Sequence, residues 1–349
     1  MNCYVKTITC LLIIATFTQS HWVPGARAED SREFTHAQGT THIPEVPKRV
    51  VVMDLAALDT LDALQIPVIG VPTMDKDRDW PEYLQKYTRD EFTKCGSLFE
   101  PDLAVIQALN PDLIIVGGRS SRQLDSLVKI APTIDLSTST SSFIPSMARN
   151  ILTLGAIFDV EPKASQRSLK LLNDVRALHE KSSMQGKGLV LFSVNDRVLP
   201  NEPATRWGVV YELIGIDTVV TSGELPERRR RVSGSEESAE KSPEQVAAEE
   251  ALAKKQAEEA EQSFRKILAR RPEWIFVIDR NSAFGDRPNS ESVLETNPNI
   301  TDSTAWKSGQ VVHLNGVGWY LIGGGVQQVE NTIAQISQAF SAKDNPATK

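Results

Sequence analysis

The sequence predicts an α/β protein in which one long helix joins two lobes. Strand-like apolar runs alternate with amphipathic segments both before and after residues 160–183, as in domains built on parallel sheets. Within residues 160–183 a proline stands in the first turn, where its missing N–H needs no partner, and no later glycine or proline interrupts the helical pattern. The succession of helix, proline and strand also occurs twice, at residues 105–116 and 266–278. This repetition favours two related lobes.

The long helix is amphipathic. Its apolar residues recur at three- and four-residue steps and so share one face; they are Ala164, Leu171, Leu172, Val175 and Leu178. At about 1.5 Å per residue the helix spans roughly 30 Å, the width of a small domain. The chain then divides into a signal peptide (residues 1–28), a first α/β lobe (residues 29–159), the connecting helix (residues 160–184) and a second α/β lobe (residues 185–349). The second lobe contains a charged insertion at residues 222–262.

The first 28 residues have the organisation of a secretory signal. Lys6 is followed by an apolar run, and an Ala-Arg-Ala motif ends at Ala28, which together resemble a charged start, an apolar core and a cleavage site. The apolar run is about ten residues long, whereas a membrane span needs roughly 20. Neither Cys3 nor Cys10 has a lipoprotein context, so we expect a soluble exported protein cleaved after Ala28.

Composition limits the partners and the chemistry. Removal of residues 1–28 takes away Lys6 and Arg27 and no acidic residue, so the formal charge of −7 becomes −9. A chain this acidic is not expected to bind nucleic acid. Cys95 is the only cysteine left, which excludes an internal disulfide and a metal cage built from several thiolates.

In the first half of the chain we expect four buried strands, at residues 48–54, 67–71, 113–116 and 133–136. The first holds three consecutive valines bounded by charge, which is typical of a parallel strand covered on both faces. The accompanying helices are expected at residues 56–64, 103–109, 121–129 and 143–158. Residues 29–40 are polar, and we expect a loose leader there.

The second half repeats this alternation. We expect strands at residues 188–194, 273–279 and 310–314 and helices at residues 207–214 and 326–340. The insertion at residues 222–262 is strongly charged, and its Ser-Pro-Glu sequence from Ser242 is typical of a helix start. We expect a solvated helix there; the alternative is an arm that binds a partner or orders only with it.

Several enzyme signatures are missing. The chain has no GxxxxGK[ST], no GxGxxG after the first strand and no GxSxG, which argues against a nucleotide-phosphate loop, a dinucleotide site and a nucleophile elbow. The histidines outside the signal are His36, His42, His179 and His313, and none is paired at metal-ligand spacing. We predict no catalytic residue.

Three arginines stand at the ends of strands or in loops, namely Arg119, Arg206 and Arg280. Ligands of α/β proteins bind at the carboxyl edges of sheets, so a cleft shared by two lobes would bring these residues together; alternatively, each is a solvated surface residue. Guanidinium groups are permanently charged and planar, and they suit delocalised oxygen anions and aromatic faces. Trp319 and Tyr320 would add aromatic walls. This pattern predicts a small anionic ligand that bears rings or chelates a metal.

Five segments together resemble periplasmic siderophore-binding proteins of ABC iron importers, which belong to the helical-backbone (class III) substrate-binding proteins. The segments are residues 43–64, 110–121, 205–216, 271–280 and 306–325. The resemblance implies two Rossmann-like lobes and a cleft for a ferric, catecholate-type siderophore, which the protein delivers to an inner-membrane ABC permease. It also implies that Arg119, Arg206 and Arg280 contact the anionic chelate. We expect a periplasmic monomer with no cofactor and no enzymatic activity.

In relatives a tyrosine before the glycines can bind iron directly. Tyr320 is the nearest match, and Gly318 stands at the alternative position. Other relatives use a histidine between the second and third arginine motifs, where this chain has its insertion and no histidine. We therefore expect recognition of an intact, fully coordinated complex without a metal ligand from the protein, with Tyr320 as the single possible exception.

Two alternatives stay open. One is a binding protein for another metal chelate such as haem or a corrinoid, and the other is a periplasmic hydrolase that acts on the chelate. The acidic positions that dock the permease in relatives align here with Ala104 and Arg265. We therefore expect docking through other acids, such as Glu100 or Asp102, or through the insertion.

Overall fold

Two five-stranded sheets form the frame of the protein. The computed structural model describes residues 32–225, 243–285 and 288–344, so the expected signal peptide lies outside the described residues. The strands are β1 (Glu33–His36), β2 (Gly39–His42), β3 (Val50–Val52), β4 (Gly70–Val71), β5 (Thr93–Lys94), β6 (Leu113–Val116), β7 (Thr133–Asp135), β8 (Lys187–Val194), β9 (Arg197–Pro200), β10 (Asp217–Thr218), β11 (Trp274–Asp279) and β12 (Val311–Leu314). The helices are α1 (Leu55–Leu64), α2 (Glu82–Gln85), α3 (Leu103–Ala108), α4 (Leu124–Leu127), α5 (Phe143–Ile157), α6 (Glu161–Ser182), α7 (Val209–Ile214), α8 (Pro243–Leu268), α9 (Ser290–Glu295), α10 (Pro298–Thr301), α11 (Thr304–Lys307) and α12 (Val326–Asp344).

The first sheet is entirely parallel, with the strand order β5–β4–β3–β6–β7. In the second sheet β10, β8, β11 and β12 are parallel in that order, and β9 pairs antiparallel with β8. β3, β6 and β11 are buried along their whole length, as expected of parallel strands covered on both faces. The predicted fold class, two α/β lobes joined by one long helix, is confirmed.

Several polar and glycine residues lie at the carboxyl edges of the two sheets because they follow parallel strands. In the first sheet Asp54 follows β3 and Gly117 follows β6, and Ser137 comes shortly after β7. In the second sheet Arg280 follows β11 directly. Because strands in a parallel sheet all end on one side, these residues are positioned by the topology rather than by local sequence.

The connecting helix α6 buries one face and packs against helices from both halves of the chain. Its contacts are with α5, which precedes it, and with α7 and α12, which follow it. α5 and α6 approach closely at Gly155, where an added Cβ would lie 2.4 Å from the Cβ of Ala164. The prediction for Leu172 is wrong: this residue is 42% exposed, whereas Leu171 is buried, because one residue is a 100° step around the helix.

The expectation of a loose leader at residues 29–40 is wrong for residues 33–40. β1 and β2 form an antiparallel hairpin around a two-residue turn. Polar contacts hold it on the edge of the first sheet: Gln38 Nε2 donates to Asp135 Oδ2 at 2.6 Å, and Thr41 Oγ1 donates to the Thr133 carbonyl at 2.8 Å. These long-range polar contacts stabilise the hairpin. Because they produce no apolar periodicity in the sequence, the sequence pattern does not indicate the two strands.

The charged insertion is described only in part. Residues 226–242 lie outside the described residues, and this gap includes Ser242 and the consecutive arginines of the insertion, Arg228–Arg231. α8 continues to Leu268, six residues beyond the predicted insertion, because Phe264, Ile267 and Leu268 join a buried cluster of the second lobe. Residues 254–259 are all exposed, as expected of a solvated helix.

The C-terminal helix α12 is anchored to α1 of the first lobe. Asp59 of α1 is fully buried and accepts hydrogen bonds from the backbone N–H groups of Gln327 and Gln328 at 2.8 and 3.0 Å. Tyr83 Oη also donates to Asp59, at 2.7 Å. A carboxylate that receives two orphan N–H groups of the first turn caps α12. Burial raises the pKa of Asp59 to about 7, and these hydrogen bonds oppose the rise.

The lobe bounds of 29–159 and 185–349 stay a prediction, since α12 packs against α1 and α6 as well as β12. Within the described ranges, none of the helices combines the length and the apolar character required to cross a bilayer.

Candidate functional site

A cleft of about 440 Å³ opens between the two lobes. From the first lobe it is lined by the carboxyl-edge loops that carry Asp54, Arg119 and residues 137–140. From the second lobe it is lined by Arg206 with Trp207 and by residues 319–324. The volume lies within the range of about 300–1,000 Å³ that is usual for small-molecule sites.

Tyr320 lies at the centre of an aromatic cluster. It belongs to a single π-helical turn, Gly318–Ile322, a conformation that is rare and frequent at functional sites. Its ring stacks with those of Trp207 and Phe192, at centroid distances of 5.6 and 6.1 Å. The ring of Phe284 meets it edge-on at 5.5 Å. The tyrosine ring is therefore held by aromatic contacts on more than one side.

The three predicted arginines converge on this ring. The Cζ atoms of Arg119, Arg206 and Arg280 lie 5.0, 5.4 and 5.9 Å from the centroid of Tyr320. Arg119 also reaches across the cleft, where its Nη2 donates to the Tyr320 carbonyl at 2.5 Å. Residues from three distant parts of the sequence thus meet around one aromatic side chain.

Arg280 is the one predicted arginine outside the lining of the cleft. Its guanidinium group lies 4.7 Å from the ring centroid of Phe284, and Tyr320 lies 5.9 Å away. Its positive charge therefore lies beside the rings of Phe284 and Tyr320, next to the residues that line the cleft.

Arg206 is a partly shielded cation. Much of the residue is exposed, but its guanidinium group lies over the ring of Trp207, with a Cζ-to-centroid distance of 4.3 Å. Desolvation by its surroundings and, to a smaller extent, the positive charge of Arg119 lower the pKa of Arg206 to about 10. The group is still protonated at neutral pH, so Arg206 is a cation whose guanidinium group is partly withdrawn from solvent beside the charge of Arg119.

The structure adds two residues that the sequence analysis did not single out. Arg122 lines the cleft, and its Cζ lies 5.5 Å from the ring of Phe99, which Arg119 approaches at 5.8 Å. Phe99 is 49% exposed and also lines the cleft. The signal in the sequence that could have indicated Arg122 is its spacing of three residues from Arg119, because a tight turn after β6 can bring residues at this spacing to the same side.

Trp319 forms the floor of the cleft instead of an open wall. Only 2% of the residue is exposed, and its Nε1 donates to Thr332 Oγ1 at 3.1 Å. Its ring lies 6.4 Å from that of Phe143. Its main contribution is to support the π-helical turn that carries Tyr320.

Glycines allow the loops around the cleft to approach closely. A Cβ on Gly117 would lie 2.8 Å from Asp54 Cγ, and one on Gly324 would lie 2.7 Å from Thr138 Cγ2. Gly325 stands against Asp59, at 2.5 Å between the same added Cβ and Asp59 Cγ. The triple glycine therefore serves both close approach of the backbone and the start of α12.

Asp54 introduces a negative charge among these cations. Its Oδ1 accepts from the backbone N–H of Ala57 at 2.8 Å and caps α1. Burial raises the pKa of Asp54 to about 6, whereas the backbone hydrogen bonds and the charge of Arg119 act to lower it.

The other candidate groups do not form a second reactive site. Among the described residues, no group of three or more His, Cys, Asp or Glu side chains could hold a metal ion. Burial raises the pKa of the Cys95 thiol to about 11, which disfavours the reactive thiolate. His313 contacts Ser290 Oγ through Nδ1 at 2.9 Å, and burial lowers its pKa.

Comparison with known proteins places this cleft in context. The sequence model of a family described as "Periplasmic binding protein" matches residues 50–317. The petrobactin-binding protein YclQ of Bacillus subtilis is 29% identical over 345 residues, which cover 97% of this chain and 97% of YclQ. The ferric-anguibactin-binding protein FatB of Vibrio anguillarum is 24% identical and covers 88% of this chain and 87% of FatB.

Solved structures show the same architecture. The crystal structure of YclQ superposes with a TM-score of 0.72 at 27% identity, and covers 88% of this chain and 98% of that chain. The catecholate-siderophore-binding protein VctP of Vibrio cholerae superposes with a TM-score of 0.71 at 25% identity, with 88% and 99% covered. The two-lobed arrangement is therefore shared along nearly the whole of both proteins.

Proposed function

Because this chain belongs to the periplasmic binding protein family, we propose that it captures a ferric siderophore of the catecholate type and delivers it to an inner-membrane ABC permease. Relatives that bind petrobactin and ferric anguibactin support the class of cargo. The observation that carries the proposal is the convergence of three guanidinium groups on one aromatic ring beside a cleft of about 440 Å³.

Capture is non-covalent and reversible. A ferric tris-catecholate is a trianion with aromatic faces, and guanidinium groups bind both delocalised oxygen anions and aromatic rings. Each charge-assisted hydrogen bond to such an anion contributes about 1.5–3 kcal/mol. Arg119, Arg122 and Arg206 line the cleft, and Arg280 adds positive charge beside Tyr320.

The chelate itself fills the coordination sphere of the iron in this account. The protein recognises the outside of the complex through charge and stacking, and Tyr320 contributes the face of its ring. No cofactor, enzymatic step or direct bond from Tyr320 to iron is required.

Removal of the signal at residues 1–28 would release the protein into the periplasm as a soluble monomer. Glu100 and Asp102 are both exposed next to the cleft residue Phe99. We expect these two acids to take part in docking to the permease, because basic permease residues would be attracted to them near the cleft mouth.

The test is replacement of Arg119, Arg206 and Arg280 by glutamine, with binding followed by quenching of tryptophan fluorescence from Trp207 and Trp319. We expect the affinity for a ferric tris-catecholate to fall by roughly a hundredfold or more, since two charge-assisted contacts in the cleft and the nearby positive charge of Arg280 are lost. A matched triple variant, R89Q/R149Q/R176Q, changes three exposed arginines outside the cleft lining and should bind as the wild type does. Unchanged affinity in the variant with Arg119, Arg206 and Arg280 replaced would show that these three arginines do not bind the chelate.

The rival functions are separated by two measurements. A panel of ferric siderophores, haem and a corrinoid, read by the same fluorescence, distinguishes the siderophore from other chelates. Recovery of the chelate unchanged after long incubation with the protein distinguishes binding from hydrolysis, because a hydrolase would release fragments.

A further inference from the structure

We propose that the chelate bound in this cleft carries a protonated amine, and that the carboxylate of Asp54 receives it. The inference rests on the proposed function, because it adds a second recognition element to the same cleft. Asp54 lines the cleft together with Arg119, Arg122 and Arg206, so one carboxylate and several guanidinium groups share a single ligand site. A ligand of uniform negative charge would be repelled by the carboxylate.

Helix capping does not account for the charge of Asp54. Its Oδ1 caps α1 by accepting from Ala57 N at 2.8 Å, and asparagine or serine would provide a comparable cap without a charge. A neutral residue would therefore complete α1 without weakening the attraction of the cleft for anions. A carboxylate at this position is expected where the ligand offers a cation to it.

The carboxylate has no ion-pair partner in the part of the chain that the structure describes. Arg119 acts on it electrostatically but directs its Nη2 to the Tyr320 carbonyl. Asp135, the other acid whose charge acts on Asp54, is engaged elsewhere, since it accepts from Gln38 Nε2 and Ser121 Oγ at 2.6 and 2.7 Å. Asp54 is thus the carboxylate of the cleft that is available to a ligand.

The space beside the second oxygen of Asp54 is open. A Cβ atom built on Gly118 would lie 3.5 Å from Asp54 Oδ2, and apart from the two chain neighbours of Gly118 no other residue comes within 4 Å of that position. Gly118 also lines the cleft, so an ammonium group can approach Oδ2 from the cleft side. Burial disfavours the ionised form of Asp54 and raises its pKa to about 6, and a bound cation would offset this cost.

The experiment compares two ferric catecholate chelates that share the same iron-binding groups. One carries a protonated amine on an arm, and in the other an uncharged group of similar size replaces the amine. Their affinities are measured by tryptophan quenching for the wild type and for Asp54→Asn, which keeps the capping oxygen. Asp54→Ser is a second neutral cap, and Asp125→Asn, an exposed acid on α4 outside the cleft lining, is the control.

We expect both Asp54 variants to bind the amine-bearing chelate at least tenfold more weakly and to bind the amine-free chelate more tightly. The opposite directions are the signature, because loss of the charge removes an attraction in one case and a repulsion in the other. Changes in the same direction for the two chelates, or no change for either, would overturn the inference. If the arginine variant loses both chelates while the Asp54 variants treat them alike, the proposed function stands and only this inference fails.

Discussion

At the scale of single residues, Tyr320 is the side chain around which the positively charged groups of the site are arranged. Three guanidinium carbons lie within 6 Å of its ring centroid, and cation–π attraction partly compensates the repulsion between them. The aromatic ring therefore stabilises three neighbouring guanidinium groups in the protein without bound ligand. A catecholate ring is chemically similar to a phenol, so the contacts around Tyr320 resemble those expected of the ligand.

The ring and the hydroxyl of Tyr320 should contribute differently. Tyr320→Phe keeps the ring, so we expect its affinity for a ferric catecholate to stay within about threefold of wild type, because the hydroxyl does not bind iron in this account. Tyr320→Ala removes the surface on which the arginines pack, and we expect a loss of about tenfold or more. Fluorescence titration measures both. A large loss in Tyr320→Phe, with an altered absorption spectrum of the bound iron complex, would instead indicate a phenolate ligand.

Asp54 should also affect stability in a pH-dependent way. Its pKa is raised from an ordinary value of 3.8 to about 6 in the folded protein, so the folded state retains the proton more strongly than the unfolded state. Its contribution is then favourable at low pH and is lost as the pH rises through about 6. The facing charges are Arg119 and Asp135.

Asp54→Asn removes this titration. Relative to wild type, we expect the variant to gain about 1 kcal/mol in free energy of unfolding between pH 5 and pH 7.5, as a pKa difference of about two units requires. Urea denaturation at the two pH values measures the difference. A difference that does not change with pH would show that Asp54 titrates normally.

The residues of the cleft were predictable to the extent that they follow strands. Arg119 and Arg280 stand at strand ends that the apolar runs already indicate, so their positions at the sheet edges follow from topology. Arg122, Phe99 and Asp54 depend on how short turns orient side chains, and no periodic pattern reports such orientation. For the same reason the sequence did not distinguish Arg280, which does not line the cleft, from Arg206, which does.

At the scale of secondary-structure elements, the long helix α6 depends on close packing against α5. Gly155 allows this approach, since an added Cβ would lie 2.4 Å from the Cβ of Ala164. Long elements with a strong pattern, such as α6, β6 and β11, were predicted well. The strands β4, β5 and β10 have two residues each, and the β1–β2 hairpin is held on the sheet by partners far along the chain, so local patterns carry little information about them.

Gly155→Ala tests this packing through the sign of its effect. Alanine ordinarily stabilises a helix interior relative to glycine by about 1 kcal/mol. Here we expect a decrease of about 1–3 kcal/mol in the free energy of unfolding, because the added methyl group overpacks the contact with Ala164. Urea denaturation measures it, and Ala177→Gly on the exposed face of α6 is the control, with an ordinary loss of about 1 kcal/mol. A stabilised Gly155→Ala protein would contradict the assigned packing.

At the scale of the whole molecule, the parallel strands of two sheets end at one cleft, and helices that pack against both lobes hold the arrangement. Asp59 joins α1 to α12, and Arg78 of the first lobe donates from Nη1 to the Ala283 carbonyl of the second. The guanidinium group of Arg78 also lies 4.6 Å from the ring centroid of Phe284. The alternation of strands and helices predicted this frame, whereas the contacts between lobes could not be predicted because they join residues some 200 positions apart.

The cargo that the protein carries when it is purified from iron-starved cells tests the central claim most directly. Native mass spectrometry of the exported chain should give one added mass, equal to a single intact ferric chelate with catecholate groups. The same chelate should be released without chemical change when the protein is unfolded. A bound haem or corrinoid, or a fragment of a cleaved chelate, would contradict the account.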